Sequence, residues 1–298
     1  LSPDFVWIKI RNDAYGHAVF DTVRGPNIRL DTVGTNADQT ITDGLHSFDS
    51  NGFTIGNRNT VGENNKTYVG WAWDAGANSN KTYTVKVVSD SGNKYRFDDF
   101  GTSAVTLDLA EGSTYIFDQS DSSNSGHQLR FSTKSNGTNG GGTEYTTGVT
   151  VTGTPGQAGA KTTIVVAASA PTLFYYCTQH SGMGGQANTN STAGASNFDG
   201  SIQATVKANP TAGFSILTFT NTTSNSTVGH GLNAKPDLII WKKRSGTSHW
   251  PVYHSGIGAT KYTYLNLTNA AATGSEFWNN TEPTSSVITT KGEPNSMG

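Results

Sequence analysis

A single cysteine, Cys177, stands among the 298 residues, so no internal disulfide framework holds this chain together. Charged residues make up only 14% of it and the formal net charge is −2, which leaves no electrostatic footprint for nucleic acid. No run of about 18 apolar residues occurs, so no membrane-inserting helix is expected. No long segment shows a helical apolar period. There is no GxSxG, no pair of carboxylates in a shared apolar context and no phosphate loop, and the chain reads as a non-enzyme. It opens LSPDFVWIKIR, already within a strand signal, with no initiator Met and no signal-peptide pattern. The expectation is an N-terminally incomplete piece of a longer chain.

What is present is short alternating segments punctuated by Asn-Gly, Asp-Gly and Gly-Gly pairs, the pattern of an all-β protein. The length allows two or three domains, each with its own core. The reading divides the chain into a first β-module at 1–81, a middle domain at 82–188, and a second β-module at 189–298. In the first module Phe5–Ile10 is apolar almost without a break and is expected to be buried on both faces, or nearly so. Asp49-Ser50-Asn51-Gly52 predicts a turn. Tyr68–Trp73 alternates, with Val69, Trp71 and Trp73 on one face. The tryptophans are expected in the core, the sharper alternative being a carbohydrate-stacking platform.

The middle domain holds seven strand signals, at 84–88, 94–97, 105–109, 114–117, 128–131, 163–166 and 173–176, which is the count of a sandwich. The Gly/Ser/Thr-rich stretch from Ser132 to Ala160 predicts a long surface excursion. At its end stands LFYYCTQHSGMGG, which places Cys177, His180 and Met183 at three-residue steps. A second imidazole, His127, lies upstream in SGHQLRF. Thiolate, imidazole and thioether form the soft-to-borderline donor set that selects copper. Strand parity puts His127 on the face of Leu129 and Phe131, and Cys177 on the face of Leu173 and Tyr175, so both are expected to point into the sandwich. Gly182, Gly184 and Gly185 are expected to supply the backbone freedom that turns the loop back. The competing expectation is a metal-free spacer in which Cys177 is a small buried hydrophobe. His230, between glycines, is expected in a tight turn with a solvated ring, and His249 and His254 at a strand rim.

AEGSTYIFDQ with SGHQLRF, and FYYCTQHSGMGG, resemble the first-histidine region and the ligand loop of the cupredoxins, the blue-copper sandwich family. The resemblance covers 82–188. It implies a Greek-key sandwich with His127 and His180 as imidazole ligands, Cys177 as thiolate and Met183 as axial ligand of a type 1-like copper site. One departure is the glycine-rich run after Met183, which leads toward another module rather than into a last sandwich strand.

An internal repeat links the outer modules. KPDLIIWKKR from Lys235 matches SPDFVWIKIR from Ser2 at a constant offset, Pro236 on Pro3 and Asp237 on Asp4, without a gap through Val252-Tyr253 on Val19-Phe20. The repeated Pro-Asp is expected to be turn chemistry, its carboxylate bonding backbone amides. The stretches SPDFVWIKIRNDAYGHAVFDTVRG, SFDSNGFTIG, YVGWAWDAG, ANPTAGFSILTFT, VGHGLNAKPDLIIWKKR and WPVYH together resemble the tandem β-modules of marine bacteriophage virion proteins, chiefly cyanophage-type tail-fibre and surface proteins. That resemblance implies jelly-roll-like modules in a structural or receptor-binding virion component on the particle surface. Its expected partners are other virion proteins, further copies of itself in a homo-oligomer, and a host surface glycan or protein. Trp71, Trp73 or Trp241 is expected near an intersubunit or intermodule contact. Competing functions are copper-based electron transfer and a secreted bacterial adhesin or surface filament.

Overall fold

The computed structural model describes residues 1–77, 80–190 and 193–292, and these are almost entirely strands and turns, an all-β sandwich-type architecture. The first segment starts as an antiparallel meander of β1 (Phe5–Ile10), β2 (Ala18–Asp21), β3 (Gly25–Leu30) and β4 (Gln39–Thr40). β5 (Leu45–Asp49) and β6 (Gly52–Ile55) form a hairpin about the expected Asp49–Gly52 turn. β7 (Tyr68–Trp73) then returns beside β1, giving the sheet order β4-β3-β2-β1-β7. β1 alternates: Val6, Ile8 and Ile10 are buried while Phe5, Trp7 and Lys9 are half-buried. Its inner face packs Val6 and Ile8 with Ala18, Phe20, Leu45 and the hairpin's Phe48 and Phe53. Trp71 and Trp73 are not core residues. Their parity turns them to the opposite face, where Trp71 is 44% exposed and Trp73, stacked on Phe214 at 6.0 Å, is 38% exposed; among the described residues β7 is the edge of its sheet.

The middle segment is two five-stranded sheets. One contains β8 (Lys81–Ser89), β9 (Asn93–Phe97), β11 (Thr114–Asp118), β14 (Val149–Thr152) and β15 (Lys161–Val165). The other contains β10 (Leu107–Leu109), β12 (Leu129–Ser132), β13 (Glu144–Tyr145), β16 (Leu173–Cys177) and β17 (Gly185–Thr189). β18 (Ala195–Asn197) closes the segment, its Ser196 accepting the Tyr83 hydroxyl and bonding the Asp108 amide. Aromatic rings fill the core, with Phe117 meeting Phe97 and Phe131 edge-on at 5.6 and 5.4 Å. All seven expected strands are present. Two expectations change. The glycine-rich run after Met183 does continue as a strand, β17, antiparallel to β16 and parallel to β10. The 132–160 stretch is no free excursion either, since β13 and β14 extend the two sheets and Gly137 lies flat against the buried Tyr176 ring.

The last segment begins with the hairpin β19 (Ala204–Asn209) and β20 (Phe214–Phe219), followed by β21 (Ser226–Gly229). A second meander follows, β22 (Leu238–Ile240), β23 (Pro251–His254), β24 (Lys261–Tyr264) and β25 (Ala272–Thr273), and β26 (Val287–Thr290) pairs with β21. The two meanders share one register. Phe5↔Asp21 and Trp7↔Val19 have their counterparts in Leu238↔His254 and Ile240↔Val252. Val19↔Leu30 corresponds to Val252↔Thr263, and Arg29↔Gln39 to Tyr262↔Ala272. Even the Thr22 amide bond to the Asp4 carbonyl recurs as Ser255 to Asp237. Burial differs, because β1 lies between β2 and β7 whereas β22 is an edge.

In place of three modules there are two compact units, one made of residues 1–76 with the chain from Ile202 onward, the other of Ala77–Ser201. Residues 293–298 of the expected second module lie outside the described residues. The reason the outer segments join is packing: Trp250 sits on Val19 and Leu30, and Ile216 with Phe214 packs on Val23 and Ala75. Asp4 joins them too, and here its expected turn role is replaced by a long-range one. Its buried carboxylate takes the Ala75 amide at 2.9 Å, the Thr22 hydroxyl at 2.9 Å and Lys207 Nζ at 2.6 Å. Asp237, its repeat partner, is exposed. Asp4→Ala therefore strands a largely buried ammonium and is expected to destabilise this unit by about 2–3 kcal/mol in urea unfolding, while Asp237→Ala changes little.

His230 is likewise not solvated. It is 1% exposed, with Nε2 near the Thr284 carbonyl at 3.3 Å and Nδ1 accepting the Leu232 amide at 3.2 Å. His249 and His254 do lie at the rim, half-buried and exposed. Glu282 ties the second meander together through Lys235 at 2.7 Å, the Tyr253 hydroxyl at 2.6 Å and the Ala259 amide at 2.7 Å. Those bonds, Lys235 foremost, pull its carboxyl from 4.5 down to about 2. A folded-state value below the unfolded one stabilises above pH 4.5, and the gain disappears as pH falls from 4.5 toward 2. With the side chain 48% exposed, the gain is about 1 kcal/mol at most. Acid titration of stability should be shallower in Glu282→Gln than in the parent over that window.

Candidate metal centre

The site is built on the antiparallel pair β12–β16, in which Leu129 stands opposite Cys177. The pairing runs one residue further, the Thr178 amide bonding the Gln128 carbonyl at 3.1 Å. That register brings Cys177, the last residue of β16, alongside the segment entering β12, where His127 lies. A short 3₁₀ turn at Ser122–Asn124, capped by the Asp121 carboxylate on the Ser123 amide, delivers the histidine. Three bonds hold its backbone: its amide to the Asn124 carbonyl at 2.8 Å, and its carbonyl to Gln119 Nε2 at 2.7 Å and to the Tyr95 hydroxyl at 3.1 Å.

The loop after Cys177 is held from outside itself. Asn139 Nδ2 donates to the Cys177 carbonyl at 2.7 Å and to the His180 carbonyl at 3.5 Å. Asn136 accepts the Gly182 amide at 2.8 Å and donates to Ser181 Oγ at 2.7 Å. Lys94 bonds the Gly182 carbonyl, and the Tyr95 amide bonds the Met183 carbonyl at 3.0 Å. Both asparagines come from the stretch read as a surface excursion. Nothing in SNGTNGGG separates a clamp from a turn, and Tyr95 and Gln119 carry no sequence signal that sets them apart from the residues around them. Asn139→Ala removes two loop bonds and leaves the Cys177 carbonyl without this donor. It is expected to cost about 1–3 kcal/mol and to weaken metal uptake, read by titration of the purified chain.

The glycines divide the labour differently from the expectation. Gly182, at φ +74°, does occupy the left-handed region. Gly184 and Gly185 are required by close approach instead, a Cβ at Gly185 falling 2.6 Å from the Ala104 carbonyl oxygen and one at Gly184 falling inside the Tyr175 carbonyl.

Three of the four expected ligands meet. Cys177 Sγ lies 3.8 Å from His127 Nδ1 and 3.7 Å from His180 Nδ1, and all three donor atoms lie within 4.8 Å of one another. The two imidazoles face each other at 4.6 Å between centroids, tilted by 47°. Donors bound at roughly 2.0–2.3 Å in a trigonal plane lie about 3.5–4.0 Å apart, so the two sulfur–nitrogen separations fit an ion at the centre. Met183 is buried in the same core cluster as Cys177. Among the described residues this is the one group of three or more His, Cys, Asp or Glu side chains placed to hold a metal.

Burial grades across the site: Cys177 is fully buried, His127 half-buried and His180 exposed. Burial first, and then the neighbouring His180, hold His127 below its usual range, which favours the neutral ring a metal needs. Burial, then Cys177 beside it, push the Tyr95 hydroxyl well up, so it stays a protonated donor.

No curated protein and no solved structure is significantly similar to this chain. One family model does match it, over residues 1–100 and 186–297, and all four candidate ligands fall outside those two segments. The matched segments make up well over half of the sequence and include both copies of the repeated meander, and so the chain belongs to the family of the domain of unknown function DUF7483.

Proposed function

We propose that the middle unit would bind one copper ion through His127, Cys177 and His180, with the buried Met183 thioether as a further ligand. The observation that carries this is the near-equal placement of the cysteine sulfur against two imidazole nitrogens, at 3.8 and 3.7 Å. A copper ion held by such a set supplies one-electron chemistry and an intense blue absorption. The protein's part is to orient the ligands. Tyr95 and Gln119 fix the His127 main chain, Asn136 and Asn139 fix the loop, and the sheet core keeps water from the sulfur. One equivalent of Cu(II) added to the purified chain should turn it blue. No uptake, or colourless binding with preference for Zn(II), would refute the copper reading.

The chain as a whole we propose to be a non-enzymatic structural or receptor-binding component at the surface of a phage particle. The likeness of its outer segments to virion modules supports this, and so does a repeated meander that offers unpaired sheet edges. Particles purified by density should contain the chain together with capsid and tail proteins. Its recovery from a bacterial surface fraction alone would support an adhesin instead. Electron transfer is the second reading, favoured by the exposure of His180, a ligand that reaches solvent while the sulfur does not. Rapid reduction by a small redox partner would support it.

A further inference from the structure

The meander is built twice, and only one copy has its outer edge filled. In the first copy β7 lies on that edge of β1, with Trp73 opposite Phe5, Trp71 opposite Trp7 and Val69 opposite Lys9. The positions equivalent to Phe5, Trp7 and Lys9 are Leu238, Ile240 and Lys242. Among the described residues no strand pairs with β22 on that side. Antiparallel alternation aims the backbone groups of Leu238 and Ile240 there, since the bonds to β23 come from Asp237 and Trp241. The side chains of Leu238 and Ile240 are 54% and 41% exposed.

Among the described residues a second open edge lies in the same unit, the outer side of β7. Neither strand carries a charge or a proline, two of the protections of a free edge; β22 relies on its length of three residues alone. Each presents apolar side chains on the corresponding outer face, Trp71 on β7 beside a Trp73 that stacks on Phe214, and Leu238 and Ile240 on β22. We propose that the outer edge of β22 pairs with the outer edge of β7 from a second copy of this chain, so that one sheet runs from molecule to molecule.

The repeat also determines the direction of that pairing. To bring two such edges together with both apolar faces on the same side, one molecule turns by half a revolution about the sheet normal. That turn reverses its β1, and because β7 is antiparallel to β1, it leaves β7 parallel to β22. A parallel pair in the register that sets Asp74, just past β7, beside Lys242 or Lys243, just past β22, joins opposite charges at that end. The charges are complementary in this direction, whereas an antiparallel pair would bring Asp74 to Asp237. Because the two edges are different surfaces, the contact is head-to-tail and propagates into a ring or a filament.

The inference deepens the structural reading of the chain and is independent of copper, so the metal titration is unaffected by its outcome. The test uses the full chain, with light scattering at micromolar concentrations and circular dichroism to confirm folding. The parent should assemble, and Ile240→Lys and Trp71→Lys should each be monomeric. Mixed together, the two variants retain one intact β22 edge and one intact β7 edge, and the mass should double and stop there. A defect in folding cannot produce that recovery. A monomeric parent overturns the proposal and leaves the edge to a different chain. Assembly by either variant alone, or no heterodimer on mixing, also overturns it.

Discussion

Cys177→Ser is expected to abolish the blue absorption of the copper-loaded chain completely while leaving both units folded. The colour of a type 1-like site comes from the copper–thiolate bond, and Cys177 is the only thiol in the sequence. A serine hydroxyl is a harder, weaker donor and does not reproduce that bond. The fold should tolerate it, because a serine side chain is smaller than the cysteine it replaces and meets no new contact, the rings now 3.7 and 3.8 Å from the sulfur lying just beyond hydrogen-bond reach of its hydroxyl. The expected cost is about 1 kcal/mol. Visible absorption after one equivalent of Cu(II), together with urea unfolding, checks both halves of the expectation. Residual blue colour in the variant would mean that the sulfur is not a ligand.

Gly184→Ala should be the most damaging single methyl group that can be added near the site. A Cβ there would occupy the space of the Tyr175 carbonyl oxygen and press on the Tyr176 backbone, and neither can yield without opening β16 from β17. The expected loss is about 4 kcal/mol or more from the stability of the middle unit. Gly182→Ala is the natural comparison. Its left-handed backbone makes a side chain unfavourable by about 1–2 kcal/mol, but the nearest atom to its Cβ would be the flexible Lys94 Nζ at 3.7 Å. The lone buried cysteine reports on both variants, because the rate at which a thiol reagent reaches Cys177 measures how often the strands around it open. Equal rates in Gly184→Ala and the parent would show that the loop has room that its present contacts conceal.

Much of the middle unit was legible in the chain itself. Alternation along 128–131 and 173–176 carries the information that Leu129, Phe131, Tyr175 and Cys177 share a face, since strand side chains alternate whatever the partner strand is. Three-residue spacing after a strand end carries the ligand loop. Ligand identity is covalent chemistry, and it is visible in any reading. The repeat carried the register of its first strand pair: equivalent cross-strand partners in β1–β2 and β22–β23 follow from the gapless match through Val252-Tyr253, because a slip of one residue would have turned every side chain to the wrong face, and the structure extends that register to the third and fourth strands.

What only the tertiary structure decided is where equivalent sequences meet different neighbours. Pro-Asp occurs in both copies, yet Asp4 is a buried junction and Asp237 is exposed, because Lys207, Thr22 and Ala75 surround only the first. Trp71 reads as core by its type and is exposed, β7 being the last strand of its sheet among the described residues. Asn136 and Asn139 read as turn residues and became the clamps of the ligand loop, because 132–160 folds back across β16 instead of standing away from it. Strand, face and ligand type depend on a residue and its near neighbours. Burial, edge position and clamping depend on which distant segment arrives to exclude water, and that follows from the packing of the whole unit.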